Sequence, residues 1–228
     1  PDDKAGLEAA LRIKEETGAE VTVLTMGLPK AEEVLREAMA MGADNGILVT
    51  DRVLGGADTW ATSTTIAGAL RNIDYDLIIT GRQAIDGDTA QVGPQIAEKL
   101  HLPQVSYVEE VVEAAADHVV VKRQFEDGYH IIKIKTPCLL TAIAELATPR
   151  YMSVRGIVEA YEKEIKVLGF EDLKDGLELD MIGLKGSPTN VYQSFTKEVK
   201  GAGTILEGLS ADEAVKAIMD KLEAKFII

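Results

Sequence analysis

The densest run of residues able to do chemistry lies between Thr80 and Pro94: Gly81, Arg82, Gln83, Ala84, Ile85, Asp86, Gly87, Asp88, Thr89, Ala90, Gln91, Val92 and Gly93. It comes after a strand-like run and enters a helix-like one. Gly81, Gly87 and Gly93 allow the backbone to approach a ligand closely, while Asp86, Asp88 and Thr89 can cap or hydrogen-bond. A helix starting near Thr89 would present unpaired N–H groups and a positive dipole end, a seat for a pyrophosphate. An ordinary capped loop between strand and helix fits the same residues. The spacing is neither a Walker A loop nor G-x-G-x-x-G.

Two further segments carry candidates. Gly55-Gly-Ala-Asp-Thr-Trp-Ala-Thr-Ser-Thr-Thr65 places two glycines, an acid, a tryptophan and several hydroxyls before a helix. Asp58 or Thr59 serves there as an N-cap, or Asp58, Thr59 and Thr62 meet the edge of a nucleotide or flavin. In Glu145–Ser153, Leu146 is an apolar residue in a polar stretch, and Pro149 stiffens the backbone leading to Arg150 and Tyr151. The segment is either a loop with one tucked-in leucine or a docking loop whose leucine anchors in a partner.

The other reactive side chains form no constellation. Cys138 lies in an apolar run and reads as core. His101 comes after a helix end, and His118 and His130 flank strand-like runs and read as solvated. G-x-S-x-G, H-E-x-x-H and C-x-x-C are absent from the sequence, which weakens hydrolase, zincin and thiol-redox readings. A protein without its own acid, base and nucleophile leaves the chemistry to a cofactor that it positions.

The elements that must position these residues alternate. Leu7, Ala10 and Leu11 share a face of a helix from about Asp3 to Glu16, stopped by Gly18. Strand-like Val21–Met26, Ile47–Val49 and Leu77–Thr80 are separated by helical repeats through Val34, Ala38 and Met41, and through Ile66, Leu70 and Ile73. A fourth helix runs from Gln91 to Leu100. Strand and helix in alternation mean a parallel sheet covered on both faces, with ligands at the carboxyl ends of its strands. After Pro103, Val119–Phe125 and His130–Lys135 flank a Gly128-bearing turn, a hairpin signal. Cys138–Ala142 reads as another strand and Ser153–Lys163 as a helix. Lys166–Gly203 reads as a long irregular arm, and Ser210-Ala-Asp-Glu213 as a capping box opening a last helix to about Lys225.

The chain has 228 residues, one large domain or two small ones, and needs no disulfide to hold a core. Its 24 basic and 38 acidic residues leave a net charge of −14. That disfavours nucleic acid and anionic membrane surfaces, both of which require a basic face. One cysteine and three histidines without metal-ligand spacing argue against disulfide, cluster and zinc sites, and fit a reducing cytoplasmic compartment. The acidic first residues are unlike a signal peptide.

Several of these segments coincide with one family. GRQAIDGDTAQVGP (Gly81–Pro94) resembles the signature of the β subunit of electron transfer flavoprotein. MGADNGILVTDR (Met41–Arg52), GADTWATS (Gly56–Ser63), PRY (Pro149–Tyr151) and KGSPTNVYQSF (Lys185–Phe195) match in order, so the resemblance covers essentially the whole chain. It implies an α/β fold with a doubly wound, mostly parallel sheet of the adenine-nucleotide alpha hydrolase-like kind. A β-hairpin and a long C-terminal arm that wraps the partner subunit complete it. The implied division is residues 1–165 as the nucleotide-binding domain and 166–228 as the arm. Family members open with a strand and a V-K-Q-V-P-like loop that this sequence, starting at Pro1, does not include.

The resemblance also implies a heterodimer with an α subunit carrying FAD. Ordinary β subunits hold a structural AMP; in bifurcating members a second FAD takes its place. That flavin accepts hydride from NADH and sends one electron to ferredoxin or flavodoxin and one through the α-subunit FAD to an acyl-CoA dehydrogenase-type enzyme. Ala84–Gln95 carries over as the phosphate loop, Pro1, Asp2, Asp3 and Met26 match other pocket positions, and Leu146 matches the anchor of the partner-docking loop with Pro149, Arg150 and Tyr151. The form Asp86-Gly-Asp-Thr-Ala-Gln-Val-Gly93 looks like the anaerobic, bifurcating branch, since Gly87 removes a negative charge from beside a diphosphate. A nucleotide-binding domain without a redox role is the alternative from another class.

Overall fold

The computed structural model describes residues 1–197, 199 and 201–227. They form two compact units, Pro1–Asn190 and Val191–Ile228. The first unit runs α1 (Asp2–Thr17), β1 (Thr22–Met26), α2 (Glu32–Met41), β2 (Asn45–Val49), α3 (Thr59–Leu70), β3 (Leu77–Gly81), α4 (Val92–Lys99) and β4 (Gln104–Ala114). It continues with β5 (His118–Phe125), β6 (Gly128–Lys135), β7 (Cys138–Ala142), α5 (Val154–Glu162), β8 (Ile165–Leu168) and α6 (Phe170–Leu173).

The parallel strands are short aliphatic runs that must be covered on both faces. β7 is buried at every position and β2 at all but its first. On one side, Val23 of β1 joins Leu7 and Leu11 of α1, Met39 of α2 and Ala160 of α5. On the other, Leu24 and Met26 of β1 and Ile47 and Val49 of β2 join Ala69 of α3 and Leu173 of α6. Leu77 and Ile79 of β3 likewise face the cluster of Ala5 and Ala9 of α1, whereas Ile78 joins Ile66 and Leu70 of α3. This is the two-sided helix cover of the expected α/β fold.

The strands divide between two sheets, ordered β1-β2-β8 and β3-β7-β4-β5-β6. β1 pairs in parallel with β2 from Thr22↔Asn45 to Met26↔Val49, and β3 with β7 from Leu77↔Cys138 to Gly81↔Ala142. β1 and β3 each end a sheet, and α1 and α3 bridge the two sheets from opposite faces. The expected hairpin is β5–β6, paired from His118↔Lys135 to Phe125↔Gly128 across Glu126 and Asp127.

Three findings differ from the sequence reading. β4 is an eleven-residue strand that the pattern does not announce, because Glu109, Glu110 and Glu113 and two register shifts against β5 interrupt its apolar alternation. The segment after Glu164 is not irregular throughout: β8 pairs with β2 from Gly46↔Ile165 to Val49↔Leu168, and α6 comes next. The expected boundary between residues 165 and 166 therefore falls inside β8, and the first unit extends to Asn190. His118 is also not solvated, since its Nδ1 lies 2.6 Å from Asp117 Oδ1 and its side chain is only 12% exposed.

In the second unit, α7 (Ala211–Glu223) opens with the expected capping box: the Ser210 N–H donates to Glu213 Oε2 at 2.9 Å, and the Glu213 N–H to Ser210 Oγ at 3.4 Å. Val215, Ile218 and Met219 of α7 are exposed.

A tight helix crossing in the first unit is α5 over α2. A β-carbon on Gly156 would overlap the Ala40 carbonyl oxygen, and Arg36 Nη1 donates to the Ala160 and Lys163 carbonyls at 2.5 and 2.6 Å. Gly156→Ala is expected to cost on the order of 1–3 kcal/mol in urea unfolding. Gly128→Ala, with nothing within 4 Å of the added carbon, is the control expected to unfold like the parent. Equal midpoints for all three proteins would refute the close crossing.

Candidate functional site

The carboxyl ends of the parallel strands converge on the start of α1. The Gly81 N–H, where β3 ends, donates to Asp3 Oδ1 at 2.9 Å. A β-carbon on Gly81 would stand 2.6 Å from that oxygen, so this glycine is required by the protein's own packing. Arg82 N–H donates to the Ala142 carbonyl at 2.8 Å, and Asp2 Oδ2 lies 3.4 Å from Arg82 Nε. Pro1 precedes α1, which has no side-chain cap, and its carbonyl accepts from Ala5 N–H at 3.0 Å.

Beyond Arg82 the loop is a tight, self-bonded structure. Gln83 Nε2 donates to Asp88 Oδ1 at 2.8 Å, Asp88 N–H to the Ala84 carbonyl at 3.0 Å, and Thr89 Oγ1 to the Gly87 carbonyl at 2.9 Å. Ile85 projects into solvent and Asp86 is exposed beside it. Asp88 and Ala90 hold φ values of +46° and +54°, a left-handed conformation uncommon for residues with a β-carbon. The helix begins at Val92, not near Thr89, with Gln91 in the cap position and no side-chain cap. Pro94 occupies its first turn, where a missing N–H costs nothing. Gly93 lets that turn lie on the sheet: a β-carbon there would stand 2.6 Å from Thr80 Oγ1 and 2.9 Å from Thr141 Cγ2. Gly87 is different, since a β-carbon would meet only Thr89 Oγ1 at 3.6 Å.

α3 closes the site's other wall. Thr59 Oγ1 donates to Gln91 Oε1 at 2.9 Å and Ser63 Oγ to Gln95 Oε1 at 2.8 Å, tying α3 to the start of α4. Asp58 is the N-cap: its Oδ1 accepts from Ala61 N–H at 3.0 Å, its Oδ2 from Thr189 N–H at 3.0 Å, and its carbonyl accepts from Thr62 N–H at 2.9 Å. Burial alone would raise its carboxyl, but these hydrogen bonds hold it below the ordinary value. The carboxylate is thus engaged in fixing the turn. Met26 stands at the carboxyl end of β1, in the other sheet and half-buried in the cluster around Ile47 and Val49.

The expected docking residues separate by role. Leu146 is only 9% exposed and packs in the core cluster of Ala5 and Ala9, so it does not project as an anchor. Arg150 is tied to α1: Nε and Nη2 donate to Glu8 at 2.8 and 3.1 Å, and Nη1 to Glu15 at 2.5 Å. Burial would raise the Glu8 carboxyl, but Arg150 and Arg12 outweigh it and hold it down. Pro149 is half-buried beside this clamp, and the free side chains come after it: Tyr151 at 99% exposure, Met152 and Val154. A groove of about 380 Å³ opens alongside, lined by Met152, Ile157, Tyr161, Glu33 and Glu37.

Burial pushes the Cys138 thiol up to about 11, as suits a core residue of β7. Among the described residues no cluster of three histidines, cysteines or acids is placed to hold a metal, and no helix is long and apolar enough to cross a membrane.

Open sheets of largely parallel strands with helices on both faces, and an uncapped helix start at the carboxyl end of β3, define an α/β protein of the doubly wound class. Residues 1–173 match the model of the electron transfer flavoprotein domain. The chain belongs to the electron transfer flavoprotein family, in its β-subunit line. It is 53% identical to the acryloyl-CoA reductase electron transfer subunit gamma of Anaerotignum propionicum, over all of this chain and 87% of that one. It is 50% identical to the caffeyl-CoA reductase-Etf complex subunit CarD of Acetobacterium woodii, over 100% of this chain and 87% of the relative. The electron transfer flavoprotein subunit beta of Clostridium acetobutylicum is 51% identical, over 100% and 86%.

The clamp has measurable consequences. Arg150→Ala leaves the buried Glu8 carboxylate with Arg12 alone and is expected to cost on the order of 2–3 kcal/mol, below the full buried-pair value because Arg12 stays at 3.1 Å and Arg150 keeps 32% of its side chain in water. Leu146→Ala should cost about 2–3 kcal/mol as a core deletion. Glu8 and Asp58 both titrate below their unfolded values, so their contribution is complete above the ordinary carboxylate pKa and is lost as pH falls through the depressed folded one. Urea midpoints measured on acidification should fall more steeply for the parent than for a Glu8→Gln, Arg150→Met double variant; parallel curves would remove the clamp from the acid response.

Proposed function

We propose that the chain is the β subunit of a bifurcating electron transfer flavoprotein and holds FAD at the Gly81–Pro94 loop. The observation that carries this is the composition of that loop's surroundings. The start of α4 is uncapped, and Thr80 Oγ1 and Arg82 Nε are buried without hydrogen-bond partners. Gly87 is free of packing duty in a chain half identical to subunits named for acryloyl-CoA and caffeyl-CoA reductase complexes. Buried donors without partners, next to a helix start, suit a phosphate-bearing ligand.

In this reading Arg82 and the Val92 and Gly93 amides hold the phosphates. The loop from Gln83 to Gln91 closes over them, with Asp2 and Asp3 fixing its near end and Thr59, Gln91 and Gln95 its far end, while Pro1 opens the helix that carries the two acids. Asp58 and Thr62 hold the α3 start against the Thr189 segment. The chemistry that the flavin supplies when bound is hydride acceptance from NADH and release of single electrons, one to ferredoxin or flavodoxin and one through the α-subunit FAD to an acyl-CoA dehydrogenase-type enzyme. Tyr151, held outward by the Pro149–Arg150 clamp, with Met152 and Val154, is the docking surface for that enzyme. The Val191–Ile228 unit, with Tyr192, Phe195, Ile218 and Met219 exposed, is the arm for the α subunit.

Nucleotide released by denaturing the complete αβ heterodimer and separated by chromatography tests this directly. The expected result is two FAD and no AMP per heterodimer. One FAD and one AMP would make it a conventional single-flavin carrier, and a chain that is a stable monomer holding nucleotide and no flavin would be a domain with no redox role. Gly87→Asp is expected to lower nucleotide retention without lowering the thermal midpoint. Gly93→Val should lower both, because its side chain would collide with Thr80. Tyr151→Ala should slow transfer to the dehydrogenase at unchanged flavin content; an unchanged rate would move docking elsewhere.

A further inference from the structure

Tyr107 has a backbone conformation that its side chain disfavours. Its φ is +59°, in the left-handed region that aromatic residues rarely enter. It lies inside β4, where the register against β7 shifts between Val105↔Leu140 and Val108↔Ala142. Its N–H leaves the ladder and donates to Thr141 Oγ1 at 3.1 Å. Strain of this kind persists only where the surroundings over-determine it, and it gathers at ligand sites.

The bulge re-aims the ring. The Arg82 guanidinium carbon stands 5.8 Å from the Tyr107 ring centroid, within cation–π range. Asp2 Oδ2 approaches from α1, 3.4 Å from Arg82 Nε, as an ion pair that does not close a hydrogen bond. Two elements thus meet on the guanidinium of the residue that follows β3: α1 through Asp2 and β4 through Tyr107. Arg82 Nε is nevertheless buried with its donor unspent, as is Thr80 Oγ1 two residues earlier. An arginine fork stacked on a ring is pre-organised for a planar, bidentate anion contact, which a lysine would not provide.

We infer that Tyr107 is a positioning residue: with Asp2 it holds the Arg82 guanidinium at the carboxyl end of β3 as the cationic contact for a phosphate of the bound nucleotide. This rests on the nucleotide reading above. The strained bulge is what brings the ring beneath the arginine, so ring and strain belong to one device.

The test is titration of the nucleotide-stripped heterodimer with FAD and with AMP at low and high salt. Arg82→Gln is expected to weaken binding about ten- to a hundredfold and to flatten its salt dependence. Arg82→Lys should restore part of the affinity, and Tyr107→Phe nearly all of what Tyr107→Ala loses. Tyr107→Gly, which relaxes the backbone and removes the ring, should bind as weakly as Tyr107→Ala while melting no lower. Equal affinity in Tyr107→Ala and Tyr107→Phe overturns this role and leaves the proposed function standing; parent-like affinity in Arg82→Gln overturns it too and also removes Arg82 from the proposed phosphate contacts, leaving the Val92 and Gly93 amides. A parent heterodimer that takes up neither FAD nor AMP overturns both.

Discussion

The first unit depends on the packing of α1 and α3 against both of its sheets. β1 and β3 close two separate sheets, and side chains on α1 and α3 hold those sheets in one body. α1 does this with a graded face: Ala5 and Ala9 are small where β3 and β7 come close, and Leu7 and Leu11 are large where they reach Val21 and Val23. The interior is packed too densely for one face to shift without the other. Glu8 then ties the same helix to Arg150, so α1 is fixed along its length by apolar contact, at its start by Asp3 and on its flank by a charge pair.

The candidate site inherits its geometry from that helix. Where α1 begins, β3 ends, and Gly81 has no β-carbon because Asp3 occupies the space. Gly93 has none because Thr80 and Thr141 do. Two of the three loop glycines therefore serve the fold, and Gly87 alone is left for a ligand to explain. A glycine-rich loop is usually credited to its ligand as a whole; here the near-contacts divide the credit residue by residue.

The strands and helices of the parallel region are legible in the sequence because period and length agree: VTVLTM, ILV and LIIT are too short and too aliphatic for anything but covered strands. The hairpin is legible from its turn. β4 is not, because Glu109, Glu110 and Glu113 read as solvent while the strand bends through its bulges. The apolar period starts α4 at Gln91, one residue before Val92, whereas the capping reading starts it near Thr89, which looks like a cap but bonds back to the Gly87 carbonyl. Leu146 looks exposed because its neighbours are polar, yet a buried helix face lies opposite. Most of the candidate site can be located from residue types. Tyr107 cannot, because an aromatic residue gives no signal of a positive φ, and the strand to which it belongs is itself the one that the pattern hides.

Cys138 has a practical consequence. The chain's one cysteine lies at zero exposure at the first position of a covered strand, and burial keeps its thiol protonated far above neutral pH. It will not compete for a maleimide or a nitroxide in the folded protein. A single cysteine placed on the outward face of β6 or α7 would therefore be the sole reactive thiol of this chain. Distances from such a label to a partner could be followed as the complex turns over, without first altering the native sequence elsewhere.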